Sequence, residues 1–412
     1  MLVGIYINQR PDAGGGFFES LNSISKIDSK NIEQVFFTSN KSCLSFLKSK
    51  NLNVKYISMN LFKRLILFLR YKFLYFISLM VPGNITPVIL IKKAMFKFNG
   101  FEKYFIKEKV DLIFFTSPDA NIIYVEHLNF CVSIWDLAHF EIPFYPELRE
   151  NFTFETRDFY YRHVLPKAYA IIVGHNSCKV TLERSYGINP SKIFIIPFKA
   201  SPFIRKFEDE NKNKKIKTTR NKELTNYIFY PSQYAAHKNH RIVVDAFNEL
   251  LKLKAFTNVF LIFTGVDRGT LNSLKKLCND YGITKNVKFF DFQTDIEVYH
   301  LYKYCNAVVV PTHIGPGTLP SLESLYLNKY IVLPDYYFNK EYYGKSAIYY
   351  KSNDYYDLAE NLKNVISLSN TKPTAKNLKK KYTNIQKSSE IVEFNNHINK
   401  FQNITKSTFI NK

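Results

Sequence analysis

The chain is poor in cysteine, has a single tryptophan, is short of acid and lacks any long apolar run. Five cysteines in 412 residues, at positions 43, 131, 178, 278 and 305, include no C-x-x-C or other metal-ligand or redox spacing, which excludes a cysteine-built metal or redox centre. They read as reduced and structural. No D-x-D metal motif occurs anywhere, and neither G-x-G-x-x-G nor G-K-[ST] accompanies the glycine run at 14–16, so the dinucleotide and P-loop fingerprints are missing. The nearest thing to a membrane span, "FKRLILFLRYKFLYFISLMVPGNITPVILIKK" at 62–93, is broken by Lys63, Arg64, Arg70 and Lys72 in its first half. Pro82, Gly83, Asn84 and Pro87 break its second half, leaving no stretch of about 20 apolar helical residues. The opening "MLVGIYI" has no basic n-region and meets a glycine loop too soon for a signal sequence, so the expected location is cytoplasmic. Nothing resembles an aromatic-interleaved RNA-binding motif, and nucleic acid is not an expected partner.

What is abundant is positive charge. Fifty-seven Lys and Arg against 35 Asp and Glu give a net charge of +22, which argues for an anionic surface, polymer or phosphate-bearing substrate. Compositional drift toward Lys, Asn, Ile, Tyr and Phe competes with that reading. The basic, aromatic-rich stretch at 62–93 suits a peripheral helix on an anionic membrane surface, and equally a buried helix with solvated charges.

Up to about residue 200, short runs rich in β-branched and aromatic residues ("MLVGIYI", "QVFFTS", "VKYIS", "VDLIFFTS", "FCVSIWD", "YAIIVGH", "KIFIIPF") alternate with helix-length segments. This is the pattern of a parallel sheet covered on both faces, an α/β doubly wound domain. Residues 205–224 are dense in charge and read as a linker or exposed loop. The alternation then restarts with "YIFYPS", "NVFLIFTG", "NVKFFDF", "AVVVPT" and "KYIVLPD". The expected organisation is a first Rossmann-like domain at 1–204, the charged linker at 205–224, and a second Rossmann-like domain at 225–385. A tail at 386–412, rich in Lys, Asn and Ser as a disordered polar tail would be, carries Ile391, Phe394, Ile398 and Phe401 at helical spacing, which predicts an amphipathic helix to about 402 over that alternative. Two such domains place a cleft where the carboxyl ends of their sheets face each other.

Three stretches fall at that cleft. In "PDAGGGFFESL" the glycines strip every side chain from a loop feeding a helix, which suits close approach of an anion to backbone N–H groups and equally a plain flexible loop. In "YPSQYAAHKNHRIVVDAF", residues 230–247, His237, Lys238, Asn239 and His240 cluster at a strand-to-helix turn able to hold a diphosphate. A zinc site on His237 and His240 fails for want of further ligands. In "VVVPTHIGPGTLPSLESLYLNKYIVLPD", residues 308–335, Pro320 suits a first helical turn. Glu323 sits within a turn of that start, as a helix-dipole partner or as an acceptor for a ligand's hydroxyls.

Together with "SIWDLAHFEIPFYPEL" and "AIIVGHNSCKVTLERSYGINPSKIFIIPF", these stretches resemble, in order and spacing, glycosyltransferase family 4, with a leaning to bacterial mannosyltransferase-like members. The resemblance implies the GT-B fold and a retaining transfer of a hexose, such as mannose, from a GDP- or UDP-linked sugar. The acceptor it implies is a glycan or lipid-linked glycan, in polysaccharide, lipopolysaccharide or O-antigen synthesis. It implies no cofactor and no metal, an acceptor site in the first domain, and a last helix returning there. By the resemblance Lys238 lies on the donor diphosphate with Gln233 and Asn239 nearby, and Glu323 on the nucleotide ribose. The backbone of Gly317, Thr318 and Leu319 lies against the phosphates, and Gly15 and Gly16 lie over the donor from the other domain. Asp136 and His139 are the candidates for orienting the acceptor, although Asp136 also suits a helix cap. His175 and Asn176 are expected only to line the cleft.

The chain departs from the family at three positions: Gly315 stands for the first glutamate of E-x7-E, Gln233 for an arginine, and Trp135 for a histidine. A degenerate nucleotide-sugar-binding protein without turnover therefore stays open. So does a basic membrane- or nucleic-acid-binding protein.

Overall fold

The computed structural model describes residues 1–11, 14–27, 32–58, 100–210, 226–315, 317–371, 378–387 and 390–408. The basic stretch at 62–93 lies outside them, and no helix among the described residues is long and apolar enough to cross a membrane.

All seven runs read as strands in the first half form strands. They are β1 (Leu2–Tyr6), β2 (Glu33–Thr38), β3 (Val54–Tyr56), β4 (Leu112–Phe115), β5 (Asn129–Ile134), β6 (Ala170–Val173) and β7 (Ile193–Ile195). They pair in parallel in the order β3-β2-β1-β4-β5-β6-β7. Side chains alternate across a strand, so Ile113, Phe115 and Val132 enter a core on one face while Leu112, Phe114 and Cys131 enter a core on the other. Both faces are dry, which is why these runs are continuously apolar rather than alternating.

The second sheet is also parallel, in the order β10-β9-β8-β11-β12-β13. Its strands are β8 (Tyr227–Pro231), β9 (Phe260–Thr264), β10 (Val287–Phe290), β11 (Ala307–Val309), β12 (Tyr330–Pro334) and β13 (Ile348–Tyr350). The sequence pattern does not reveal β13. Three residues pairing only with β12 at the sheet edge are too short for a periodic signal.

Between the domains the structure departs from the expected linker. A helix, Pro202–Glu210, covers its first residues, and Phe198, Ala200 and Ile204 already belong to the second domain's core. The acids that made this stretch look exposed are partnered. Glu208 accepts from Tyr299 at 2.8 Å and from Lys303 at 2.7 Å, and Asp209 accepts from Tyr326 at 3.1 Å.

The tail forms the helix Glu390–Thr408. Phe394, Ile398 and Phe401 are buried in the first domain's core beside Val3, Ile5 and Phe194. The Phe194 and Phe394 rings meet edge-on at 5.5 Å, and the Tyr169 hydroxyl donates to the His397 carbonyl at 2.8 Å. Full burial of an apolar side chain stabilises by about 1.5–3 kcal/mol, so three of them hold the tail to a domain nearly the whole chain away in sequence. Phe394→Ala should cost roughly 3–5 kcal/mol, read as a lowered urea midpoint. A loss below about 1 kcal/mol would show that the helix carries no packing load.

Candidate active site

A cavity of about 420 Å³ opens between the carboxyl ends of the two sheets. From the first domain it is walled by Gly14–Gly16 beyond β1, Trp135 and Asp136 beyond β5, and His175 beyond β6. The second domain contributes Ser232, Gln233 and Lys238 beyond β8, Gly265 beyond β9, and, beyond β11, Thr312, Gly315 and Gly317–Pro320 with Glu323. Phe198, Ser201 and Phe203, on the segment crossing between domains, form part of the lining.

The bare glycine loop is explained by what it faces. A methyl carbon on Gly15 would stand 3.1 Å from the Leu319 side chain of the opposite domain, and one on Gly16 would stand 3.0 Å from the Trp135 ring. A side chain on Gly15 would hold the domains apart, and one on Gly16 would displace the Trp135 ring within the first domain. Gly14, at φ 72°, starts the helix Gly15–Ile24, while Leu319 starts the helix Leu319–Tyr326. Two helix amino ends, with their unsatisfied N–H groups and partial positive charge, thus meet across the cavity.

Lys238 adds a full charge. Its side chain is half-buried and lines the cavity, and among the described residues it forms no ion pair. Burial pulls its pKa down, and the carboxylates of Asp136 and Glu147 oppose that pull. Thr318 and Leu319 have backbone amides without a hydrogen bond among the described residues. Gly317 differs from expectation: its N–H is committed to the Tyr343 hydroxyl at 3.0 Å, so of the three residues Gly317–Leu319 it is Thr318 and Leu319 that have amides to offer a ligand.

Glu323 is 5% exposed and lies at the cavity wall, its Oε1 accepting from the Ser201 hydroxyl. Burial pushes its pKa up to about 7, the Ser201 hydroxyl and the neighbouring Tyr302 offsetting part of the rise. Gln233 lines the cavity, next to a constriction where a side chain on Gly265 would strike the Ser232 carbonyl oxygen at 2.3 Å. Asn239 does not line it. At φ 53° it begins the helix His240–Leu251, and its side-chain amide meets His313 Nε2 at 3.0 Å.

Asp136 faces the cavity but is already paired. Its Oδ1 accepts from Arg157 Nη2 at 2.6 Å and from the Ala138 N–H at 2.9 Å. Burial alone would raise its pKa, but the guanidinium brings it below the usual carboxylate value. Arg157 escaped the sequence reading because it sits mid-helix, in Thr153–His163, with no motif around it.

His139 is not at the site. It is fully buried, its Nε2 meets the Tyr186 hydroxyl at 3.0 Å, and the Tyr161 ring packs 4.8 Å away. Burial, reinforced by Arg157, lowers its pKa to about 4. The short helix Ala138–Glu141 turns this side chain into the aromatic core beneath the cleft floor, a direction that residue spacing alone did not disclose.

Two further contacts join the domains. Glu147 accepts from the His237 N–H at 2.9 Å and bonds its ring, and the Tyr145 hydroxyl bonds His313 Nδ1. Both residues lie in the "PFYPEL" segment, whose aromatic and acidic pattern carries no sign of its partner. Among the described residues, no group of three His, Cys, Asp or Glu side chains is placed to hold a metal ion.

Residues 211–384 match the family model described as glycosyl transferases group 1. Comparison with curated proteins gives no match. Among solved structures, a glycosyltransferase from Rickettsia africae ESF-5 is 13% identical, with 100% of this chain and 99% of that one covered and a TM-score of 0.58. Anabaena HepE, solved with UDP and glucose, is 14% identical over 98% of this chain and 99% of its own, at a TM-score of 0.62. Sucrose-phosphate synthase from Thermosynechococcus elongatus is 11% identical over 99% and 100%, at 0.66. The fold common to all of them is GT-B: two parallel-sheet Rossmann-like domains facing a cleft.

Proposed function

We propose that this chain is a retaining glycosyltransferase that moves a hexose from a UDP- or GDP-linked sugar to a glycan or lipid-linked glycan acceptor. The observation that carries the reading is the Lys238 ammonium, without an ion pair among the described residues and placed in the same cavity as two helix amino ends in a GT-B cleft. The group-1 match over the second domain and the UDP held by the HepE relative support it.

The roles follow from charge. When the bond from the anomeric carbon to the diphosphate oxygen breaks, negative charge grows on the leaving phosphate. Lys238 and the amides of Thr318 and Leu319 are the groups that would receive it, in a cleft whose low polarity strengthens each contact. Glu323 accepts hydroxyls of the nucleotide ribose. The acceptor hydroxyl bonds to the anomeric carbon from the side the diphosphate leaves, and its proton passes to a phosphate oxygen. Retention then needs no protein nucleophile, and the charge balance needs no metal. Asp136, paired with Arg157, shapes the acceptor side, whereas His139 has no part. An acceptor at the inner face of a membrane suits the basic first half, with the chain cytoplasmic and peripheral; the stretch at 62–93 that would make that contact lies outside the described residues.

A thermal-shift panel of UDP, GDP and their glucose, galactose, N-acetylglucosamine and mannose conjugates tests the donor. A ligand at a hundred times its Kd should add about 2.7 kcal/mol of stability, enough to raise Tm by several degrees. Turnover is then read as nucleoside diphosphate release with a glycan acceptor. Binding without release would favour the non-catalytic binder, and no shift with any of the ten compounds would overturn the proposal.

A further inference from the structure

His175 stands beyond β6 and caps the helix Asn176–Tyr186 with its ring. Its Nδ1 accepts from the Cys178 N–H at 3.3 Å and lies 2.7 Å from the Ser177 hydroxyl. One ring nitrogen is thereby committed to the fold as an acceptor, so the hydrogen of the neutral ring sits on Nε2. That second nitrogen points out of the first domain. A methyl carbon on Gly315 of the second domain would lie 3.3 Å from Nε2 and 3.2 Å from Cε1. Any side chain at 315 would therefore occupy the space the imidazole edge looks into. His175 and Gly315 both line the cavity, on the loop side that also carries Thr318 and Leu319.

We infer that His175 is a donor-sugar contact: its Nε2–H reaches across the interdomain gap, past bare Gly315, to a hydroxyl oxygen of the transferred hexose. This assignment rests on the transferase reading above. The chemistry selects a hydroxyl over a phosphate. Burial lowers the His175 pKa to about 4, so near neutral pH the ring offers one uncharged donor and no acceptor. The cations and amides suited to phosphate lie elsewhere in the cleft, at Lys238 and at the Leu319–Tyr326 helix start. An uncharged donor in a dry site discriminates by geometry, because a sugar lacking the matching oxygen leaves the N–H unpaired. The arrangement also explains why position 315 carries no side chain.

The test separates capping from reaching. Asparagine is a strong helix N-cap but too short to reach past Gly315, so His175→Asn keeps the cap and removes the cross-cleft donor. The probe is whichever of UDP-glucose and GDP-mannose binds wild-type protein more tightly than its own nucleoside diphosphate. For H175N we expect an unchanged Tm, unchanged affinity for the nucleoside diphosphate, and a roughly tenfold loss of affinity for the sugar conjugate. Gly315→Val should give the same selective loss by filling the gap. If H175N binds the sugar conjugate as wild type does, His175 is a cap alone and the inference fails while the transferase reading stands. If wild type prefers neither conjugate to its diphosphate, a sugar contact at His175 is refuted. Should no nucleotide sugar of the wider panel bind at all, it is the transferase reading that has failed.

Discussion

Replacing Lys238 by alanine should lower transfer at least a hundredfold while leaving the thermal midpoint within a degree or two of wild type. The expected size follows from what one preorganised donor contributes to a developing oxyanion, about 10²–10³ in rate. A full charge in a closed cleft belongs at the upper end of that range. Stability should change little because, among the described residues, the ammonium forms no ion pair whose loss would strand a carboxylate. Burial is already working against its charge, so removing it relieves a cost. Single-turnover kinetics with saturating nucleotide sugar would read the effect in the chemical step. A Lys238→Ala enzyme with more than half of wild-type turnover would remove the lysine from the mechanism and, with it, the strongest support for this cleft as a transferase site.

Glu323→Gln should move stability and function in opposite directions. In the folded chain the Glu323 carboxyl has its pKa pushed from 4.5 to about 7. A raised acid pKa means that ionisation is disfavoured by folding. The wild type therefore loses stability as pH rises from about 4.5 through 7, by up to about 3 kcal/mol at 1.36 kcal/mol per pKa unit. The amide keeps an acceptor for the Ser201 hydroxyl and cannot ionise. Melting temperatures should therefore match near pH 4.5 and diverge above pH 7, with Glu323→Gln the more stable. Nucleotide affinity should fall about tenfold or more at pH 8, since hydrogen bonds to a charged acceptor are worth about 1.5–3 kcal/mol. The wild type's own affinity should rise between pH 6 and 8, because ribose hydroxyls favour the ionised form and binding releases a proton. A stability difference independent of pH would show that the carboxyl is not the titrating group.

Much of this architecture is legible because it is local. Strands buried on both faces must be continuously apolar, and seven of them stand out in the first half without reference to any partner. Phe394, Ile398 and Phe401 announce an amphipathic helix by spacing alone, though not the core it covers. Gly14–Gly16, Lys238 and Glu323 are found because each follows a strand, and parallel sheets gather their strand ends on one edge. The misses share a cause. β13 is too short to carry a period, and the helix Pro202–Glu210 hides among charges whose partners, Tyr299, Lys303 and Tyr326, lie about a hundred residues on.

The sequence by itself determined two doubly wound parallel domains, the cleft between them and the types of group that line it, since periodicity and strand-end position are properties of neighbouring residues. Only the tertiary structure decided which of those groups are free to act. It pairs Asp136 with Arg157, turns His139 into the core, ties up the Gly317 N–H with Tyr343, and gives Lys238 no ion pair among the described residues. It also sets His175 opposite a glycine from the other domain. Hydrogen bonds and close approaches between residues far apart in the chain make these choices, and no local pattern encodes where a distant partner will stand.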